Sequence, residues 1–501
     1  MVYVKLLFRD LFFWSCLFAI SFQHVAARSC GNNGTTTTLP QLTTLTYATD
    51  AKSMIADKGK IVAKTHKKET ATTKNDNSNW IEKPCFAVIS DIHIGHTSEE
   101  GYLKKMTRVL RNISHYQPAV HNVFVIGDLA NRCLEKEYIE MMRMFGDTTL
   151  LRSGIKVTFM RGNHDNFKSD GGKLFDEIVK QPRHQYQIID GYPFISLSNT
   201  ISAFRGEDCY DQNARKFLSE SLADAAKRYP GRPIFVFQHV LPENTIVGSK
   251  VLNGHGAYAS GIDSIMSKYP QIIDFSGHTH ISIVNPHQIY QKNYTAVNDG
   301  GERNNSMTNG AKDQSIHKRN LQSLNEGFFV HFNKEGAVIL ERWNLTMNKK
   351  YEPDWIIEPP FDKTSFRYTN LTGGAKPTFS SNAQLKLTYL QGDSCNLFIP
   401  QAKDDEYVWL YKINVTDDQG KDVIRPMKQQ SLQNRGKAFE KGLLIPIGGL
   451  PYDKELTCTV IAEDGYDQTS SPINISFHTD KNKNVSAPSE KSTKNEQFYT
   501  K

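Results

Sequence analysis

Five short stretches of the chain carry residues able to grip a metal ion: "SDIHIGH" (90–96), "GDLANR" (127–132), "RGNHD" (161–165), "QH" (238–239) and "GHTH" (277–280). Carboxylate oxygens mixed with imidazole nitrogens suit Fe, Mn or Zn better than Mg alone. Taken singly, an H-x-H pair such as His278 and His280 is as well read as two polar loop histidines. The five together carry more weight, because each closes a short apolar run: "CFAVIS" (85–90), "NVFVI" (122–126), "KVTFM" (156–160), "IFVF" (234–237) and "IIDFS" (272–276). In open α/β sheets, ligands gather beyond the carboxyl ends of the strands, so five such tips can converge on one point.

The elements between the runs are those that would hold the tips in place. Leu103, Met106, Leu110 and Ile113 recur at helical spacing, with Lys104, Arg108 and Arg111 on the opposite face. Asp211 opens a second helical stretch that ends at a Pro-Gly stop. Strand, helix and strand alternate, which predicts an α/β sandwich. Gly127, Gly162 and Gly277 each precede a candidate ligand, where the chain must turn off a strand. After about Lys376 the texture becomes all-β, with runs such as "EYVWLYKINV" and "ELTCTVIAED" separated by turn residues.

The ordered set D-x-H, G-D, G-N-H-D, H and G-H-x-H resembles the calcineurin-like metallophosphoesterase superfamily over about residues 84 to 345. The resemblance implies a four-layer αββα sandwich at 80–360, followed by a small all-β sandwich at 375–480. It implies that Asp91, His93 and His280 hold one metal and Asn163, His239 and His278 another, with Asp128 bridging both. The cofactors would be two divalent or trivalent ions (Fe, Mn or Zn), activating a shared hydroxide for attack on phosphorus. His164 would be the unligated catalytic histidine, donating to a phosphoryl oxygen or protonating the leaving alkoxide. Asp165 would either orient the His164 ring or cap a helix. Arg132 and Arg161 suit phosphate by geometry, but the plainer reading is a surface or structural arginine.

Departures from neighbouring families narrow the class. Purple acid phosphatases carry a tyrosine ligand where this chain has Asn131, and "GDLANRC" with "GNHD" does not fit the protein Ser/Thr phosphatase pattern. The motifs are closer to class III cyclic-nucleotide phosphodiesterases and glycerophosphodiester hydrolases. Gln238 stands where relatives often have a second histidine, which would change the polarity around the second metal. Substrate choice would lie with loops such as 241–260 and 285–325. Cys395, Trp409 and Cys458 stand in the order and approximate spacing of an immunoglobulin-like sandwich, and the segment also resembles a fibronectin type III module. That resemblance implies a Cys395–Cys458 bridge, the alternative being two separate buried thiols, while Leu456 occupies the place of an expected corner tyrosine.

The margins point to export. Residues 1–27 read as a signal peptide, with Lys5 and Arg9 before an apolar stretch too short to span a membrane. Residues 28–79 read as a disordered Thr/Lys/Asn-rich leader, and 481–501 as a Lys-rich tail. Nine N-x-S/T sites and an even cysteine set after Cys16 suit a secreted or lysosome-like compartment. The formal charge of +7 is spread along the chain and crowds into its ends, so nucleic acid is not an expected partner. The expected function is a secreted binuclear phosphodiesterase or phosphatase acting on a small phosphoester. The alternatives are a binding or adhesion protein that uses its β-sandwich, and a metal-dependent nuclease. Oligomeric state has no signature in the sequence.

Overall fold

The computed structural model describes residues 84–95, 99–167, 172–200, 209–249, 260–303, 305–309, 314–316, 324–370, 373–433 and 437–481. All of them belong to one compact unit, Lys74–Lys501; the other unit, Met1–Thr73, lies outside the described residues. The signal peptide, the leader, His96 and the tail expected from sequence also fall outside them.

Strand β1 (Phe86–Ile89), helix α1 (Glu99–His115), β2 (Asn122–Ile126), α2 (Glu135–Gly146) and β3 (Lys156–Met160) come first. Next are β4 (His184–Ile189), β5 (Tyr192–Leu197), α3 (Gln212–Arg228), β6 (Ile234–Phe237), α4 (Asp263–Met266), β7 (Ile272–Ser276), β8 (Ile289–Gln291) and β9 (Thr295–Asn298). The pair β10 (Met307–Asn309) and β11 (Gln314–Ile316) precedes β12 (Glu326–Phe332), β13 (Val338–Asn344) and β14 (Lys349–Ile357). Two six-stranded sheets result, ordered β14-β13-β12-β1-β2-β3 and β4-β5-β6-β7-β9-β8. Their centres, β1-β2-β3 and β5-β6-β7-β9, are parallel.

Period-2 alternation explains the layering. In β1, Phe86 and Val88 face a core shared with Phe124, Phe194, Phe235, Phe237 and Phe275, where the two sheets meet. Ala87 and Ile89 face the other way, onto Met106, Leu110 and Ile113 of α1 and Tyr138 and Met141 of α2. On the second sheet, Ile195, Ile234 and Val236 meet Leu218 and Leu222 of α3. The architecture is therefore αββα, the α/β sandwich of the sequence pattern in the four-layer form that the resemblance implies. The shared core is aromatic: Phe86 meets Phe194 and Phe235 edge-on, with centroids 5.2 and 5.1 Å apart, and Phe124 stacks on Phe237 at 4.0 Å. Asp211 caps α3 as expected, accepting from Ala214 N at 2.9 Å.

The C-terminal strands are β15 (Lys386–Gln391), β16 (Ser394–Pro400), β17 (Val408–Thr416), β18 (Met427–Gln430), β19 (Gly442–Gly448), β20 (Glu455–Asp464) and β21 (Ile473–His478). They form sheets β15-β16-β19 and β18-β17-β20-β21, joined by a core that includes Leu397, Ile413, Ile445 and Val460. Two expectations are corrected here. Cys395 and Cys458 share this core from opposite sheets but remain separate thiols, and burial pushes them up to about 11 and about 12. Trp409 is not in that core. The β17–β20 register slips between Val408 and Leu410, and this bulge turns Trp409 into the cluster shared with the α/β sheets.

Among the described residues, no helix is long and apolar enough to cross a membrane. Asn344 is fully buried with its Oδ1 accepting from Met347 N, so that N-x-T site is closed to a glycan.

Candidate metal centre

The five tips leave β1, β2, β3, β6 and β7 at the same end of the sandwich and are stitched together by main-chain bonds. Asp91 N donates to Gly127 O (3.1 Å), His93 N to Asp128 O (2.9 Å) and Gly277 N to His239 O (3.0 Å). Their backbones are strained. Asp91, His93, Asp128, His278 and His280 all have positive φ, between 38° and 69°, a conformation that costs an L-residue roughly 1–2 kcal/mol. Such outliers persist only where the surroundings over-determine them, and they cluster at functional sites.

Only one of the three glycines expected at turns is there for its φ. Gly127 has φ +90°, whereas Gly162 is a close-approach glycine. A Cβ on Gly162 would strike the Asp128 carboxylate and lie 2.8 Å from His239 Cδ2.

The donor atoms gather as the motifs imply. Asp91 Oδ1 lies 3.2 Å from His280 Nε2 and 3.7 Å from His93 Nε2, and these two nitrogens are 3.3 Å apart. Asp128 Oδ2 lies 3.6 Å from His93 Nε2 on one side and 3.3 Å from His239 Nε2 on the other. His239 Nε2 is also 3.2 Å from Asn163 Oδ1, and His278 groups with Asp128 and His239. Asp128 therefore sits between an Asp91/His93/His280 set and an Asn163/His239/His278 set. Main-chain carbonyls orient two rings: His239 Nδ1 faces Ile126 O at 2.8 Å, and His280 Nδ1 faces Arg303 O. Each carbonyl accepts from Nδ1–H, which aims Nε2 at the centre, where it would offer its lone pair to a metal.

The electrostatics show that this cluster calls for positive charge. Burial alone would raise Asp91 and Asp128, yet the surrounding imidazoles outweigh it and hold both below the carboxylate range. Burial lowers His93 to about 4 and His278 to about 3, keeping them neutral as ligands must be. Burial would lower His239 too, but Asp128 and Asp91 overcome it and raise that ring to about 10. A proton on His239 thus answers the field of two buried carboxylates, the task a metal cation performs. Asp91 Oδ1 is buried without a hydrogen-bond partner, as a ligand oxygen would be. The residues present fit a metal pair.

His164 stands at the open edge. Its side chain is 24% exposed, its Nδ1 faces Asn131 O at 2.8 Å, and its Nε2 lies 3.9 Å from Asp128 Oδ2. The expected contact between Asp165 and this ring is not formed, nor is Asp165 a helix cap. Its carboxylate is fully buried and takes Leu129 N (3.1 Å), Ala130 N (3.1 Å), Gly162 N (2.8 Å) and the Tyr138 hydroxyl (2.8 Å). It binds the loop after β2 to the loop after β3. Gln238 is also displaced from its expected role: its amide reaches Asp274 (3.2 Å) and Tyr210 (3.3 Å) rather than the metal donors. Arg161 is fully buried with its guanidinium 5.8 Å from the Phe175 ring, and Arg132 is exposed.

Several contributors left no sequence signal. The carbonyls of Ile126, Asn131 and Arg303 act through the main chain. Ser90, whose hydroxyl bridges Asp91 Oδ2 (2.5 Å) and Asp299 Oδ1 (2.6 Å), reads in sequence as an ordinary strand end.

Residues 86–282 match the family model described as calcineurin-like phosphoesterase. No curated protein sequence matches the chain. Purple acid phosphatase PPD1 from yellow lupin (Lupinus luteus) is similar over 57% of this chain and 57% of its own, at 15% identity and TM-score 0.41. The fibronectin type III domain of the human collagen alpha-1(XX) chain aligns with 25% of this chain and 98% of its own, at 14% identity and TM-score 0.16. The twitchin kinase region from C. elegans aligns with 23% of this chain and 18% of its own, at 14% identity and TM-score 0.18. The match thus spans just over half of the lupin phosphatase and under a fifth of the twitchin region. The matched residues, 86–282, include all seven candidate ligands and His164.

Proposed function

We propose that this protein is a secreted binuclear metallophosphoesterase that hydrolyses small phosphodiesters or phosphomonoesters. The observation that supports this best is the position of Asp128, whose Oδ2 lies between His93 and His239 of two separate donor sets. Asp91, His93 and His280 would hold one ion and Asn163, His239 and His278 the other, with Asp128 shared. The chemistry such a pair supplies when bound is an acidified water and a polarised phosphoryl group.

The chain's own residues supply the rest. His164 Nδ1 donates to the Asn131 carbonyl, which turns Nε2 toward the centre; as the imidazolium, the ring would pass the Nε2 proton to the leaving alkoxide. Phe167, 41% exposed and 4.2 Å from the His164 ring, gives the leaving group an apolar wall. Secretion rests on the leader and the N-x-S/T sites. The C-terminal sandwich, with three strands against four, is best read as a fibronectin type III-like module.

The test is elemental analysis of the purified protein, with bis-p-nitrophenyl phosphate and p-nitrophenyl phosphate assays in the presence and absence of chelator. Two ions per chain and chelator-sensitive cleavage are expected. Asp128→Ala should lose metal and activity together, while His164→Ala should keep its metals and lose about 10²–10⁴ in kcat. Activity in demonstrably metal-free protein would overturn the reading.

A further inference from the structure

His280 does not hold its conformation unaided. It sits in left-handed backbone, φ +53°, and its carbonyl accepts from Ser306 N at 2.6 Å, while Ser282 N returns a bond to Ser306 O at 2.8 Å. Ile281 and Ser306 thereby form a short parallel bridge. The ring is turned by the same stretch of chain, since its Nδ1 faces the carbonyl of Arg303. Arg303 also reaches a second ligand of that set: its Nη1 donates to His93 O at 3.2 Å, and its guanidinium lies 4.5 Å over the Tyr102 ring. A left-handed residue other than glycine persists only where its surroundings over-determine it, and here the determinant is a segment well beyond it in sequence.

That segment is fixed in turn from both domains. Asn305, Ser306, Met307 and Thr308 are buried. Within the α/β domain, Asn305 Nδ2 donates to Glu326 (2.8 Å) and Asn285 Nδ2 to Thr308 Oγ1 (3.2 Å). From the sandwich, the hydroxyl of Tyr407, the residue that leads into β17, donates to the Thr308 carbonyl. Tyr407 is fully buried in a cluster with Met307, Phe328 and Trp355. A Cβ on Gly465, the residue after β20, would strike its hydroxyl, so the sandwich closes on this ring at its tip. An apolar cap over the sheet would need only the ring. The hydroxyl adds a directed bond to a main chain that, two residues earlier, sets His280.

We propose that the C-terminal sandwich is part of the frame of the metal centre. Tyr407 is a positioning residue that fixes residues 305–309 and, through them, the aim of His280 Nε2 at Asp91 Oδ1, 3.2 Å away. The inference rests on the binuclear reading above. It concerns one ion of the pair, that of Asp91, His93 and His280, because the bonds from this segment run to His280 and His93. In the other set, His239 is oriented from β2 by the Ile126 carbonyl. Orienting a ligand from behind typically changes metal affinity by about 10–100-fold, and Tyr407 acts one link further back, so the lower figure applies.

Titration of the metal-free full chain with Co²⁺, followed by visible absorption, tests the proposal, because the absorption bands report the ligands of each ion. His280→Ala and Asn163→Ala, each removing a ligand from one set, tell the two signals apart. Tyr407→Phe should weaken the ion marked by His280 about tenfold, alter its bands and leave the other ion unmoved. Coupling between sites is reciprocal, so the unaltered chain provides a second measurement, which decides even where the variant does not fold. Co²⁺ loading should slow amide exchange in residues 305–309 and at the start of β17 by up to about tenfold. Two ions bound by Tyr407→Phe as tightly as by the unaltered chain would overturn the inference and leave the binuclear reading standing. So would equal weakening of both ions, or exchange at β17 indifferent to Co²⁺. An unaltered chain that binds fewer than two Co²⁺ ions would overturn both.

Discussion

Replacing Glu326 with glutamine is expected to change how stability depends on pH. Glu326 is fully buried beneath the segment that follows His280. Its Oε1 accepts from Ser282 Oγ (2.8 Å) and Tyr351 Oη (2.9 Å), and its Oε2 from Ile283 N (3.1 Å) and Asn305 Nδ2 (2.8 Å). Burial outweighs these bonds and pushes the carboxyl from 4.5 up to about 7. Between those values the folded chain keeps a proton that the unfolded chain has released. The sign follows: this contribution is fully present below about pH 4.5 and is lost as pH rises through about 7. At about 1.4 kcal/mol for each pKa unit, the whole span is worth about 3 kcal/mol. Glutamine cannot ionise, and the Ser282 and Tyr351 hydroxyls can rotate to accept from its amide. Urea unfolding of both proteins from about pH 4 to about pH 8, with chelator present, gives the comparison. The stability of the native protein relative to Glu326→Gln should fall by about 3 kcal/mol across that range. A difference that stays level, or rises with pH, refutes the assignment.

Two further outcomes are expected. Asp165→Asn places an amide donor against N–H groups that the carboxylate now satisfies, whichever way it is turned, because each oxygen already accepts from one of them. It should cost about 3 kcal/mol in denaturant unfolding, and metal content should fall with it, because the loops carrying Asp128 and Asn163 lose their common anchor. His287→Ala leaves Glu406 buried without its partner at the contact with the sandwich. It should destabilise by about 3 kcal/mol and speed proteolysis between β14 and β15, while an unchanged cleavage rate would show that this pair does not hold the domains together.

What could be read from the sequence, and what could not, divides along a physical line. Strand β1 was legible because "FAVI" (86–89) is apolar throughout, as a strand buried on both faces must be. Asp91, His93, Asp128 and the H-x-H pair were legible as donors because ligand chemistry restricts residue type. Main-chain partners were not legible, since any residue at 126, 131 or 303 offers a carbonyl. The role of Asp165 was missed for a related reason. Adjacency to His164 suggested contact with that ring, but the carboxylate is aimed at amides more than thirty residues earlier in the chain. Trp409 was misplaced because the order and spacing of Cys395, Trp409 and Cys458 carry no sign of the bulge between Val408 and Leu410, and "YVWLYK" has no glycine to mark one.

The centre and its frame have opposite energetic characters, and each explains the other. Five candidate ligands in left-handed backbone, two ionised carboxylates in a fully buried cluster and an oxygen with no donor are all destabilising for the folded chain taken by itself. They can be held because the strands that end there are pinned by the interlocked phenylalanines between the sheets, at centroid distances of 4.0 to 5.2 Å. A looser core would let the tips relax toward ordinary φ, and the donor atoms would part. The rigidity of the apolar interior is therefore a condition for the chemistry at its edge. The same reasoning says why the site lies at the strand ends: only there does a chain leave a fixed strand and gain, within two residues, the freedom to aim a side chain sideways at its neighbour's.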